Sequence, residues 1–202
     1  MPMGHPRRST GPAVLRTGAV AVALVATACS TGNPPEHTDT PTTESAALRV
    51  ETVSGADELD ERTRAEVEGA VSDVLSAYVV EAFLGDFPRQ EFVSSFESFT
   101  SGAARSAAGH IDLLTAASVR DATDVRATEL DARLSFLTEA GDVHGGTEAV
   151  HFAFEATMED GTRRPLILDG RFLLDAERDA WSIFGYDVTF DDGEDVDAES
   201  VP

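Results

Sequence analysis

Two tyrosines, a few histidines and one cysteine carry most of the chemistry that this sequence could support. Tyr78 and Tyr186 are the only side chains with a titratable tip that fall on the apolar faces of the expected elements, so they are the candidates for lining a pocket. A phenol in such a place could act as a general acid or base, although a buried tyrosine is more often a core aromatic whose hydroxyl finds a backbone partner. Asp187 follows Tyr186 directly and, in a regular strand, points to the other side, so the two cannot form a dyad in one pocket. His151 falls on a charged strand face with Glu155, and Asp131, Arg133, Asp169, Arg171 and Asp187 extend that face on neighbouring strands. Cross-strand charge pairing on a solvated or subunit-contacting surface accounts for such a set without catalysis. His110 and Asp112 could approach a pocket mouth, but no second histidine lies at ligand spacing on the same element, so no zinc site is expected. The sequence holds no nucleophile elbow, phosphate loop or paired cysteine, and no catalytic residue, metal or cofactor is assigned.

Cys29 is the single cysteine of the chain, which rules out an intrachain disulfide. Before it, Arg7, Arg8 and Arg16 precede an uncharged run of Ala, Val and Leu from Thr17 to Ala28. A membrane span needs about 20 apolar residues and a secretory core roughly 7 to 15, so residues 1–28 read as an export signal. Ala26-Thr27-Ala28-Cys29 resembles the lipobox of bacterial lipoproteins, in which the cysteine becomes the diacylglyceryl-modified first residue of the mature chain. An ordinary Ala-x-Ala signal-peptidase site would be cut at the same bond. The resemblance implies lipidation at Cys29, with the protein held by that lipid at the outer face of the cell membrane. Residues 29–55, rich in Ser, Thr, Pro and acidic side chains, cannot bury enough surface to offset the entropy of ordering and read as a flexible tether.

The formal charge is −22 from 37 acidic and 15 basic residues, and it becomes three units more negative once Arg7, Arg8 and Arg16 are removed. Phosphate backbones and anionic head groups repel so acidic a surface, which argues against nucleic acid as a partner and leaves the lipid as the means of membrane attachment. A protein partner or a second copy of the chain stays open. The acidic residues near the end make 193–202 a disordered, solvated tail.

The remaining residues, 56–192, have the size of one domain. From Leu59 to Leu84 the residues Val67, Val71, Val74, Leu75, Tyr78, Val79, Ala82 and Phe83 recur at spacings of three and four, which predicts a helix with one apolar stripe. Phe92, Val93 and Phe96 form a shorter stripe, and Thr100 or Ser101 is placed to cap an Ala-rich helix running to about Ala108. After Ala116 the period falls to two. Leu130, Ala132, Leu134 and Phe136 alternate with polar residues, as do Val150, Phe152, Phe154, Ala156 and Met158; Leu166, Leu168, Gly170, Phe172 and Leu174 follow in the same manner. A last strand, Ala180 to Phe190, holds the one Trp and places Phe184, Tyr186, Val188 and Phe190 on one face. The short connections predict an α+β fold, with N-terminal helices packed on the concave face of a curved four-stranded antiparallel meander. Phe154, Phe172 and Phe184 are expected to face the helices.

This order of elements, from Leu59 to Phe190, is similar to the nuclear transport factor 2-like, cone-shaped fold. Gly85-Asp86-Phe87, Phe96 to Thr100, Leu113-Leu114-Thr115, Gly170-Arg171-Phe172 and Trp181 to Val188 resemble segments of actinobacterial lipoproteins with such a domain. The superfamily includes enzymes, ligand binders and assembly modules, so the resemblance implies a fold and leaves two functions. One is a membrane-anchored extracytoplasmic lipoprotein whose domain binds or assembles without chemistry of its own. The other is a small extracytoplasmic lyase or isomerase using a pocket inside the cone.

Overall fold

The computed structural model describes residues 44–177 and 180–194. The signal segment, Cys29 and most of the acidic tail therefore lie outside the described residues. Among those described, no helix is long and apolar enough to cross a membrane.

The domain is α+β. Strand β1 (Arg49–Ser54) comes first, followed by helix α1 (Glu61–Val79), which continues into a π-helical turn, Val80–Leu84. A 3-10 turn (Val93–Phe96), the short helices α2 (Ser101–Ala107) and α3 (Ile111–Leu114) and a second 3-10 turn (Ala116–Val119) complete the helical half. Four long strands follow: β2 (Asp124–Glu139), β3 (Asp142–Thr157), β4 (Arg163–Glu177) and β5 (Ala180–Asp191). They lie in the order β1-β2-β3-β4-β5, with β2 to β5 pairing antiparallel and β1 pairing parallel to β2. The sheet is thus five-stranded and mixed, which corrects the expected four-stranded, wholly antiparallel one. The fifth strand comes from the stretch read as tether. Val50 pairs with Ala132 and Thr52 with Leu134, so backbone hydrogen bonding to β2 orders a segment that has little apolar surface of its own.

Helix α1 starts where the Asp60 side chain accepts a hydrogen bond from the Thr63 backbone N–H at 2.8 Å, which satisfies one of the free amides of the first turn. Its stripe buries Val71, Leu75, Tyr78 and Val79, and the π turn carries on with Ala82 and Phe83. These residues meet the inner face of the sheet, where Leu130, Ala132, Leu134, Phe152, Phe154, Leu166, Leu168, Phe172 and Leu174 are buried, as the alternation predicts. Aromatic rings fill the space between. Phe83 stacks on Phe154 with centroids 4.4 Å apart, and Tyr78 meets Phe172 edge-on at 5.2 Å. Gly170, at φ +145°, is needed where β4 lies against β5, because an added Cβ would run into the Asp187 carbonyl and the Val188 Cα.

The last strand breaks its own alternation. Leu173 pairs with Gly185 but Leu174 pairs with Ile183, so Phe184 is an extra residue on β5. Ile183 turns in and is fully buried, while Phe184 turns out and is 49% exposed. Phe184 therefore does not face the helices. Tyr186, Val188 and Phe190, beyond the bulge, return to the inner face and pack against the core.

Candidate functional site

The bulge and a tie across the β5 edge together build one polar site. Thr100 N–H donates to the Ile183 carbonyl at 2.9 Å, and Ile183 N–H donates to the Ser98 carbonyl at 2.9 Å, so the chain before α2 lies along β5 like a short extra strand. Thr100 then caps α2, accepting from the Ala103 N–H. That start fixes the direction of α2, which carries Ser106 over Tyr186 and brings His110, just beyond the helix, alongside it. His110 Nδ1 lies 2.8 Å from the Tyr186 hydroxyl, and Ser106 Oγ lies 3.4 Å from it. Gly102, Ala103, Phe184 and Gly185 complete a groove of about 390 Å³ that is open to solvent. Where the phenol donates to Nδ1, the other ring nitrogen carries the proton and is a donor, so the pair can offer a hydrogen bond beside the Phe184 ring.

Tyr78, the other tyrosine singled out from the sequence, is not in this site. It is fully buried, its hydroxyl donates to the Leu114 carbonyl at 2.6 Å, and burial pushes its ionisation well above the ordinary range. The Phe99 ring stands between the two, with centroids 5.5 Å from Tyr78 and 6.3 Å from Tyr186. Asp112 is exposed on α3 and makes no hydrogen bond among the described residues.

On the outer face of β3, His151 sits between its cross-strand partners Asp131 and Asp169. Its Nδ1 is 2.7 Å from Asp169 Oδ1, and the two side chains are 43% and 53% exposed. The hydrogen bond to Asp169 holds the imidazole pKa above its usual value, with smaller contributions from the charges of Asp169, Glu129 and Asp131. Nearby, Arg126 Nη2 is 2.7 Å from Glu155 Oε1 and Arg163 Nη1 is 3.5 Å from the same oxygen. This is the cross-strand pairing that the sequence implies. Among the described residues no cluster of three or more His, Cys, Asp or Glu is placed to hold a metal ion.

Sequence reasoning passed over one ionisable residue. Glu148 on β3 is fully buried, on the same face as Val150, Phe152 and Phe154. Neither carboxylate oxygen has a hydrogen-bond partner among the described residues, and burial pushes its pKa up to about 8. The signal was available, since carrying the alternation two residues back from Val150 puts Glu148 on the inner face. Register places it in one row across the sheet: Thr52 opposite Leu134, Leu134 opposite Glu148, Glu148 opposite Phe172, and Phe172 opposite Tyr186. Glu148 and Tyr186 are thus two strands apart, about 10 Å along the hydrogen-bonding direction, and Phe172 lies between them.

No family model matches this chain, and no curated protein matches it.

Proposed function

We propose that the chain is a lipid-anchored extracytoplasmic protein, held by Cys29, whose domain acts by binding or assembly rather than by catalysis. The finer fold reading belongs with it: β2 to β5 form a curved antiparallel meander with the helices on its concave side, a cone of the nuclear transport factor 2-like kind. The observation that carries the functional reading is the filled interior. Phe83, Phe154, Phe172 and Tyr78 occupy the space where a reacting molecule would need a wet cavity with at least two converging polar groups. The polar groups that do converge, His110, Tyr186 and Ser106, stand at the surface beside the exposed Phe184, as suits contact with a partner or ligand docked from outside.

One observation favours the lyase or isomerase alternative, namely that Glu148 and Tyr186 share the inner face and a register row. A carboxylic acid with a raised pKa and a phenol are a workable acid–base pair when a substrate fits between them. Phe172 now takes that place. A benzene-sized apolar probe titrated into labelled protein and followed by NMR decides between the two. The binding reading expects no saturable shifts at Phe154 or Phe172 in the wild type, and uptake only after Phe172→Ala. Saturable uptake by the wild type would overturn it in favour of the alternative. The anchor is tested separately: wild-type protein should incorporate labelled fatty acid and sediment with membranes, and Cys29→Ala should do neither. Absence of label from the wild type would refute the anchor.

A further inference from the structure

We propose that Glu148 is a pH-sensitive latch, carried as the neutral acid when α1 is seated on the sheet and unseating that helix when it ionises. The geometry leaves an ionised Glu148 no local compensation. Its cross-strand neighbours on the inner face are Leu134 of β2 and Phe172 of β4, both fully buried and both without a polar group to offer. Phe172 in turn touches Tyr78 of α1, so the helix closes over this part of the row.

The ionisable groups on the buried α1 stripe and at the two ends of the row are engaged elsewhere. Tyr78, the titratable member of the buried α1 stripe, gives its hydroxyl to the Leu114 carbonyl. At the β1 end Glu68 of α1 accepts from Thr52 and from Arg64 Nε, and these bonds hold its pKa below the usual carboxylate value. At the β5 end Tyr186 pairs with His110. Neither Arg64 nor His110 bonds to Glu148, and among the described residues no positive charge pairs with it. A protonated carboxyl in such a place forfeits a hydrogen bond, whereas a carboxylate forfeits its whole hydration, and water reaches it most directly when the helix lifts.

The sign of the effect follows. The pKa is about 8 in the closed domain and near the ordinary 4.5 once the group is hydrated. Closure is therefore complete in its contribution below about 4.5 and is lost progressively as pH rises through about 8. From about pH 6 to about pH 9 the ratio of open to closed α1 should rise on the order of 100-fold. Two measurements on the folded wild-type domain test this. Carboxyl NMR should show Glu148 titrating near its raised value, and amide exchange, corrected for intrinsic rate, should show protection of Val71 to Val79 falling by that factor. Glu148→Gln, which keeps the shape and cannot ionise, should hold α1 protection constant over the same range. Titration of Glu148 in the ordinary carboxylate range overturns the proposal. So does titration near 8 with α1 protection unchanged, or an equal loss of protection in Glu148→Gln.

Discussion

Strand β3 carries two ionisable side chains three residues apart that meet opposite surroundings. On the inner face Glu148 is sealed among apolar neighbours without a partner among the described residues, while on the outer face His151 stands half in water beside Asp169. Both pKa values are raised, for different reasons: burial penalises the charged carboxylate, whereas the carboxylate beside His151 favours the charged imidazole. The linkage sign is the same for both. Each contributes stability at low pH that is lost as pH rises, His151 by losing a favourable pair and Glu148 by acquiring an unfavourable charge. Salt tells them apart, because a solvated pair is screened and a buried charge hardly is. The comparison teaches that the direction of a pKa shift does not reveal whether the group is held by attraction or confined by exclusion.

The largest effects should come from the inner face itself. Phe154→Ala and Phe172→Ala each remove a ring from a filled core and should cost roughly 3 to 5 kcal/mol in urea unfolding. Phe184→Ala is the internal control. It lies on the same sheet but is turned outward by the bulge, and its cost should stay below about 1 kcal/mol. A Phe184 loss as large as that of Phe172 would mean that the bulge is not where the register puts it. The smallest effect is expected at His151. His151→Ala should change stability by no more than about 0.5 kcal/mol below the imidazole pKa, and high salt should erase the difference. A salt-resistant loss there would show that the outer face is covered in solution, and the contrast between the faces would fail.

Alternation made most of the sheet legible, because a strand with one face on the core has to repeat every two residues. Leu130 to Phe136, Val150 to Ala156 and Leu166 to Leu174 follow that rule with one face buried. The same rule went astray at Phe184, since one inserted residue inverts every position before it and a bulge leaves no mark in hydrophobicity. Strand β1 was hidden for the opposite reason: Arg49 to Ser54 is polar enough to read as linker, and it is strand because β2 offers it an edge. Tyr186 and His110 were each legible as candidates near a pocket, but their pairing was not. Those two residues are 76 positions apart, and they meet only because Ser98 to Thr100 rides along β5. Glu148 was readable in principle, as an acidic residue at an inward position of an apolar strand.

The ride of Ser98 to Thr100 along β5 also governs how the sheet ends. An exposed strand edge is a row of unpaired amides and carbonyls onto which another chain can add, the first step toward fibrous association. At Ile183, where β5 is most apolar, both backbone groups are already taken by Ser98 and Thr100. At the far edge β1 is six residues long and carries Arg49 and Glu51, a short and charged rim. The domain thus occupies the β5 edge at Ile183 with its own backbone and ends the other border in a short, charged strand, and strand addition is opposed at both places.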